Sequence, residues 1–115
     1  MKIVIITGEE SGDELGASLV DALRNSGLNQ FELFGIGGSL LLERGMTNFY
    51  HIKEISVMGI IEVIPKILQI KKIINNVTES ILELKPDIVV SIDSPDFTLR
   101  IAKKIKSRNS NIKIV

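Results

Sequence analysis

Cysteine is absent from the 115-residue sequence, and histidine occurs once, at His51. The first absence excludes disulfides, thiolate nucleophiles and cysteine-based zinc or iron–sulfur sites, and the second leaves little for imidazole chemistry. A reducing compartment fits. An excess of one charge is missing too: 14 Lys and Arg balance 14 Asp and Glu, which argues against a polyanion-binding module. There is no long hydrophobic run at the start, where only six residues separate Met1 from Gly8 and no small-residue cleavage site follows. Met1 to Thr7 is therefore expected to be a buried first strand, neither signal peptide nor membrane span. No internal repeat or low-complexity linker is present. What the chain does have is apolar content, 44% hydrophobic residues with nine Gly and three Pro. That is enough for one core, and one soluble domain is expected.

Runs rich in Ile and Val without polar alternation, at Lys2 to Thr7, Phe31 to Gly35, Asp87 to Ile92 and Asn111 to Val115, alternate with helical patterns. This predicts an α/β fold, a Rossmann-like parallel sheet with helices on both faces. A first helix is expected after Gly12, with Leu15, Leu19, Ala22 and Leu23 on its apolar face and Gly27 as its stop. A short helix is expected from Ser39 to Arg44, then an extended segment at Asn48 to His51. A long helical pattern runs from about Gly59 to Leu84, with a stripe at Val63, Ile67, Ile70, Ile74, Val77, Ile81 and Leu84. Pro65 falls in its first turn or kinks it. Further apolar residues, Ile60, Ile61, Ile64 and Leu68, stand beside Lys66, Lys71 and Lys72. Either the helix is wedged between two layers, or it offers a membrane surface whose lysines meet anionic head groups. Periodicity does not choose.

Ligands of an open parallel sheet bind beyond the carboxyl ends of its strands, which draws attention to three loops. Gly8-Glu9-Glu10-Ser11-Gly12-Asp13 fits neither G-x-G-x-x-G nor the P-loop pattern, and its three acids repel phosphate. Ser11 or Asp13 is accounted for as a helix cap, with Glu10 and Glu14 as solvated surface. Gly35-Ile36-Gly37-Gly38 is either a close backbone approach to a ligand or a tight turn. In Asp93-Ser94-Pro95-Asp96, the last three residues are explained by helix initiation. Asp93 is left over at the strand end, available as a general base. His51 reads as a loop residue, and no metal site or cofactor is expected.

Gly8 to Ala17, Gly35-Ile36-Gly37-Gly38, Ser56 to Val63, Lys85-Pro86-Asp87 and Ile92-Asp93-Ser94-Pro95-Asp96-Phe97 together resemble, in order and spacing, the amino-terminal domain of the lipid-A-disaccharide synthase family. The resemblance implies residues 1–115 as the acceptor-side α/β domain of a two-domain GT-B glycosyltransferase of lipid A biosynthesis. Such enzymes join UDP-2,3-diacylglucosamine to 2,3-diacylglucosamine 1-phosphate with inversion, releasing UDP. It implies Asp93 as the base that deprotonates the acceptor 6-hydroxyl, and Gly8, Glu9, Ser11 and Gly12 as substrate-binding residues beside the cleft. It also implies a lipid-facing surface at Ile61, Ile64, Ile67 and Leu68, and a cytoplasmic enzyme peripheral on the inner membrane of a Gram-negative bacterium. The family continues beyond this last strand into a carboxy-terminal domain holding most of the UDP site. The lone chain is therefore expected to be inactive, either as an excised or split piece whose partner is a separate carboxy-terminal domain or as a shortened product.

Two other classes compete. A receiver-like signalling domain needs paired acids at the first strand end to hold Mg²⁺, and a late lysine beyond a further strand. Here Thr7 and Gly8 precede Glu9, and Lys113 falls inside the final strand. A non-catalytic α/β binding module is separated from the enzyme by UDP release when a donor domain is supplied.

Overall fold

The computed structural model describes residues 1–28, 30–51, 66–92 and 95–115. Strands β1 (Lys2–Thr7), β2 (Glu32–Gly37), β3 (Thr47–His51), β4 (Ile88–Ile92) and β5 (Lys113–Ile114) form one parallel sheet in the order β3-β2-β1-β4-β5. Between them run α1 (Glu10–Asn25), α2 (Ser39–Glu43), α3 (Lys66–Leu84) and α4 (Pro95–Arg108). Side chains of a strand alternate between faces, so Ile3 and Ile5 pack with Val20 of α1 and Leu41 of α2. Val4 and Ile6 pack oppositely, with Ile73, Ile74, Val77 and Ile81 of α3 and Phe97, Ile101 and Ile105 of α4. This two-sided burial explains the unbroken apolar strands. Each fully buried Ile or Val contributes roughly 1.5–3 kcal/mol.

Several boundaries move. β2 begins at Glu32 and extends to Gly37, β4 begins at Ile88, and β5 is confined to Lys113–Ile114. Asp87 still extends the ladder: its N–H donates to the Lys2 carbonyl, and the Lys2 N–H donates to its carboxylate at 2.7 Å. The expected strand at Asn48 to His51 is present as β3, on the sheet edge beside β2. Between these two strands the register slips, Gly35 facing Asn48 and Ile36 facing Tyr50. Gly35 has φ +149°, and a Cβ there would lie 1.8 Å from the Ile5 carbonyl oxygen. Only glycine fits, because neighbouring backbone already fills that space.

α1 starts at Glu10 rather than after Gly12, since Glu9 is extended (φ −142°, ψ 163°) and its carbonyl accepts from the Gly12 and Asp13 N–H groups. Its buried face is also not the leucine face expected. Gly12, Asp13, Gly16, Ala17 and Val20 are buried, whereas Leu15 is 61% exposed and Ala22 is exposed. Small residues win because α1 lies close against α2: a Cβ on Gly16 would stand 3.0 Å from Leu41 Cδ1. Leu19 and Leu23 remain half-buried against that core. The expected stop at Gly27 holds, with φ +101° and bonds from Leu28 N–H to the Leu23 carbonyl and from Gly27 N–H to the Arg24 carbonyl. That pairing is a Schellman motif.

In α3 the stripe is buried at Ile74, Val77 and Ile81, joined by Ile73 and Thr78, with Leu84 partly buried. Val63, Pro65, Ile60, Ile61 and Ile64 lie outside the described residues, as do the side chains of Ile67 and Ile70. α3 ends at Leu84, followed by Lys85, a non-glycine residue at φ +53°, ahead of Pro86. On the opposite layer Arg44 makes a two-point contact with Asp21 (2.9 and 3.0 Å), which raises the guanidinium's affinity for its proton and lowers the Asp21 pKa.

Candidate active site at the carboxyl edge

From β1 the chain winds outward to β2 and β3, then crosses to β4 on the other side of β1. The crevice at such a reversal of strand order is where open α/β sheets bind ligands. It opens between β1 and β4, whose terminal residues Thr7 and Ile92 are register partners. The backbone therefore sets the start of the acidic glycine loop, after Thr7, beside the end of β4 at Ile92. Asp93 is the next residue after Ile92 and, with Ser94, lies outside the described residues.

Thr7 is fully buried, and its hydroxyl donates to the Ile36 carbonyl at 2.9 Å, locking the end of β1 to β2. This pins the start of the acidic loop. Gly8 and Gly12 are buried, while Glu9 and Ser11 are exposed. Glu9 occupies the position capping α1, but its side chain makes no capping bond. Its carboxylate and the Ser11 hydroxyl both belong to the exposed side of the loop. Phe97 and Thr98, just beyond Asp96 on α4, are buried and anchor the start of that helix.

The expectation that Ser11 or Asp13 caps its own helix is incorrect. Asp13, 5% exposed, reaches across to α2, where one carboxylate oxygen accepts from the Gly38 N–H (2.8 Å) and the Leu41 N–H (3.1 Å). The other accepts from the Leu40 N–H at 3.1 Å. Gly38 caps α2 without a side chain of its own, so the acceptor that a Ser or Asp ordinarily supplies comes from another helix. The arrangement also decides between the two readings of the second glycine loop. The Gly38 N–H, and the Leu40 and Leu41 N–H groups of the helix behind it, are taken by the Asp13 carboxylate, so the end of the loop is a turn clamped to α1. Sequence reasoning missed this role for Asp13, although a helix start at Gly38-Ser39 with no acid in its first turn signals the need for an outside acceptor.

Asn48 donates to the Gly37 carbonyl at 3.1 Å and steadies the same edge. His51 closes β3 rather than standing in a loop. Among the described residues no group of three or more His, Asp or Glu is placed to hold a metal ion. Also among them, no helix is long and apolar enough to cross a membrane.

A sequence profile of the lipid-A-disaccharide synthetase family matches residues 3–115. The chain belongs to that family. It is 42% identical over 115 residues to a lipid-A-disaccharide synthase of Rickettsia bellii (strain OSU 85-389), covering 99% of this chain and 30% of the relative. It is 38% identical over 114 residues to the enzyme of that name from Rhodopseudomonas palustris (strain HaA2), covering 99% and 29%. With that of Myxococcus xanthus (strain DK1622) it shares 42% over 106 residues, covering 92% and 27%. The chain thus spans about 30% of the length of the curated lipid-A-disaccharide synthases it matches, and its Rossmann-like sheet corresponds to their amino-terminal part.

Proposed function

We propose that the chain is the acceptor-side α/β portion of a GT-B glycosyltransferase that makes lipid A disaccharide 1-phosphate. The donor is UDP-2,3-diacylglucosamine and the acceptor 2,3-diacylglucosamine 1-phosphate. Asp93 takes the proton of the acceptor 6-hydroxyl, and that oxygen attacks the anomeric carbon of the donor. The bond from this carbon to the diphosphate breaks, and UDP leaves. Glu9 and Ser11 hold sugar or amide groups of the acceptor, on a turn shaped by Gly8 and Gly12. The observation that carries this reading is the pairing of Thr7 with Ile92 at the strand-order reversal. It supports a shared crevice for the two chain segments richest in family-like residues. A bilayer is the proposed source of both substrates, with the enzyme peripheral on the cytoplasmic face of the inner membrane and Ile61, Ile64, Ile67 and Leu68 turned to lipid.

The test joins this chain to the remaining length of the Rickettsia bellii relative and measures UDP release with both substrates. Turnover is expected, and Asp93→Asn should lower it by about 10²- to 10⁴-fold, the usual contribution of a positioned base. Activity within about threefold of the parent, on that same scale, removes Asp93 from the role. A fusion that binds acceptor without turnover favours a binding module instead.

A further inference from the structure

Two polar ties couple the acidic loop after β1 to the glycine loop after β2. At the strand ends the Thr7 hydroxyl donates to the Ile36 carbonyl. Further along, the Asp13 carboxylate accepts from the Gly38, Leu40 and Leu41 N–H groups at 2.8, 3.1 and 3.1 Å. Asp13 holds the acidic loop as well, because its own N–H donates to the Glu9 carbonyl at 3.2 Å, beside the Gly12 N–H at 3.0 Å. One buried residue thus links the backbone of Glu9 to the start of α2. Glu9 and Ser11, on the same stretch of chain, are exposed.

Packing around this link is close. A Cβ on Gly16 of α1 would stand 3.0 Å from Leu41 Cδ1, and one on Gly37 would stand 2.6 Å from the same atom. Apolar packing keeps α1 and α2 together but has no direction. Hydrogen bonds do, and three of them to two oxygens fix the rotation of the acidic loop against the glycine loop. A second tie between the same helices provides the comparison: Asp21, about 12 Å further along the axis of α1, meets Arg44 at 2.9 and 3.0 Å. That pair lies far from the carboxyl edge. A role limited to docking α1 on α2 would be shared by Asp13 and Asp21.

We infer that Asp13 is a positioning residue for acceptor binding. By joining the Glu9 backbone to the start of α2, it sets the Glu9 carboxylate and the Ser11 hydroxyl against the Gly35 to Gly38 loop. Its oxygens are buried among the three N–H groups, so it acts through the two loops and not on the substrate. The inference rests on the reading of Glu9 and Ser11 as acceptor-binding residues given above.

The experiment takes the fusion of this chain to the remaining length of the Rickettsia bellii relative and varies acceptor and donor separately. Asp13→Ala should raise the acceptor KM by about three- to tenfold, the effect of one or two displaced polar contacts, and leave the donor KM within about twofold. Asp13→Asn keeps one oxygen for Gly38 and Leu41, so its acceptor KM should lie between those of the parent and Asp13→Ala. Loss of folded protein lowers the apparent kcat and leaves KM unchanged, so instability alone does not imitate this pattern. Asp21→Asn should leave both KM values at the parental level. Glu9→Gln should raise the acceptor KM less in the Asp13→Ala background than in the parent, since a contact already misplaced has less to lose. An unchanged acceptor KM in Asp13→Ala overturns the inference, as does an unchanged one in Asp13→Asn where the alanine variant does not fold. An equal rise in Asp21→Asn, or effects of Glu9→Gln and Asp13→Ala that simply add, also overturns it and leaves glycosyl transfer standing. A parent fusion that neither turns over nor binds acceptor defeats the proposed function, and the inference with it.

Discussion

Asp13 shows how one side chain can join two loops. Its two oxygens serve three N–H groups on the turn into α2, and removing them leaves buried donors unsatisfied. Asp13→Ala should therefore cost about 2–4 kcal/mol, since bonds to a charged acceptor contribute more than neutral ones and an orphaned buried donor adds its desolvation cost. Asp13→Asn keeps the oxygen that serves Gly38 and Leu41 and loses mainly the Leu40 bond, so its cost should be roughly half as large. Urea unfolding of both variants checks the order, and hydrogen exchange should quicken first at Gly38, Leu40 and Leu41. Equal losses in the two variants would mean that Asp13 acts through charge and not through these bonds. The acid was visible in the sequence, but its partners were not, because they lie 25 to 28 residues away and no periodicity connects them.

At the scale of elements, apolar patterning located β1, β2, β4 and β5, because burial on both faces leaves the central strands little tolerance for polar residues, and the extended segment at Asn48 to His51 coincides with the edge strand β3. Patterning located the turn at Gly27 as well, where the need for a left-handed residue is local. It misassigned the face of α1, since residue size in a helix says which side is greasy and not which side a neighbour approaches closely. The end of α3 is the opposite case, a local rule broken: Lys85 holds φ +53° without being glycine. A left-handed conformation costs an L-residue about 1–2 kcal/mol, partly offset in Lys85→Gly by a freer unfolded chain. The substitution should therefore stabilise the domain by about 0.5–1 kcal/mol, read as a higher melting temperature. A fall in melting temperature would show that the Lys85 side chain contributes more than its backbone costs.

For the whole molecule, the proposed function makes the crevice between β1 and β4 half of an active site. Base-assisted transfer needs the anomeric carbon of the donor held at near-attack distance from the acceptor oxygen, about 3–3.5 Å, and the described edge offers loops that are acidic or internally clamped. The 115-residue chain assayed with both substrates should yield no disaccharide, and addition of the separately produced carboxy-terminal portion of a relative should restore it. Disaccharide from the lone chain would defeat the proposal that these residues are the acceptor half.

The sequence by itself determined the fold class, the strand positions and the family, because each rests on local composition, short motifs and their order. It also singled out the residues after β1 and β4, since the ends of parallel strands are delivered to one edge. Only the tertiary structure decided that the ends of β1 and β4 are neighbours across a register pair and that Asp13 caps a distant helix. These depend on strand order and helix phase. Both arise from packing between segments far apart in the chain, where a linear pattern carries no distance.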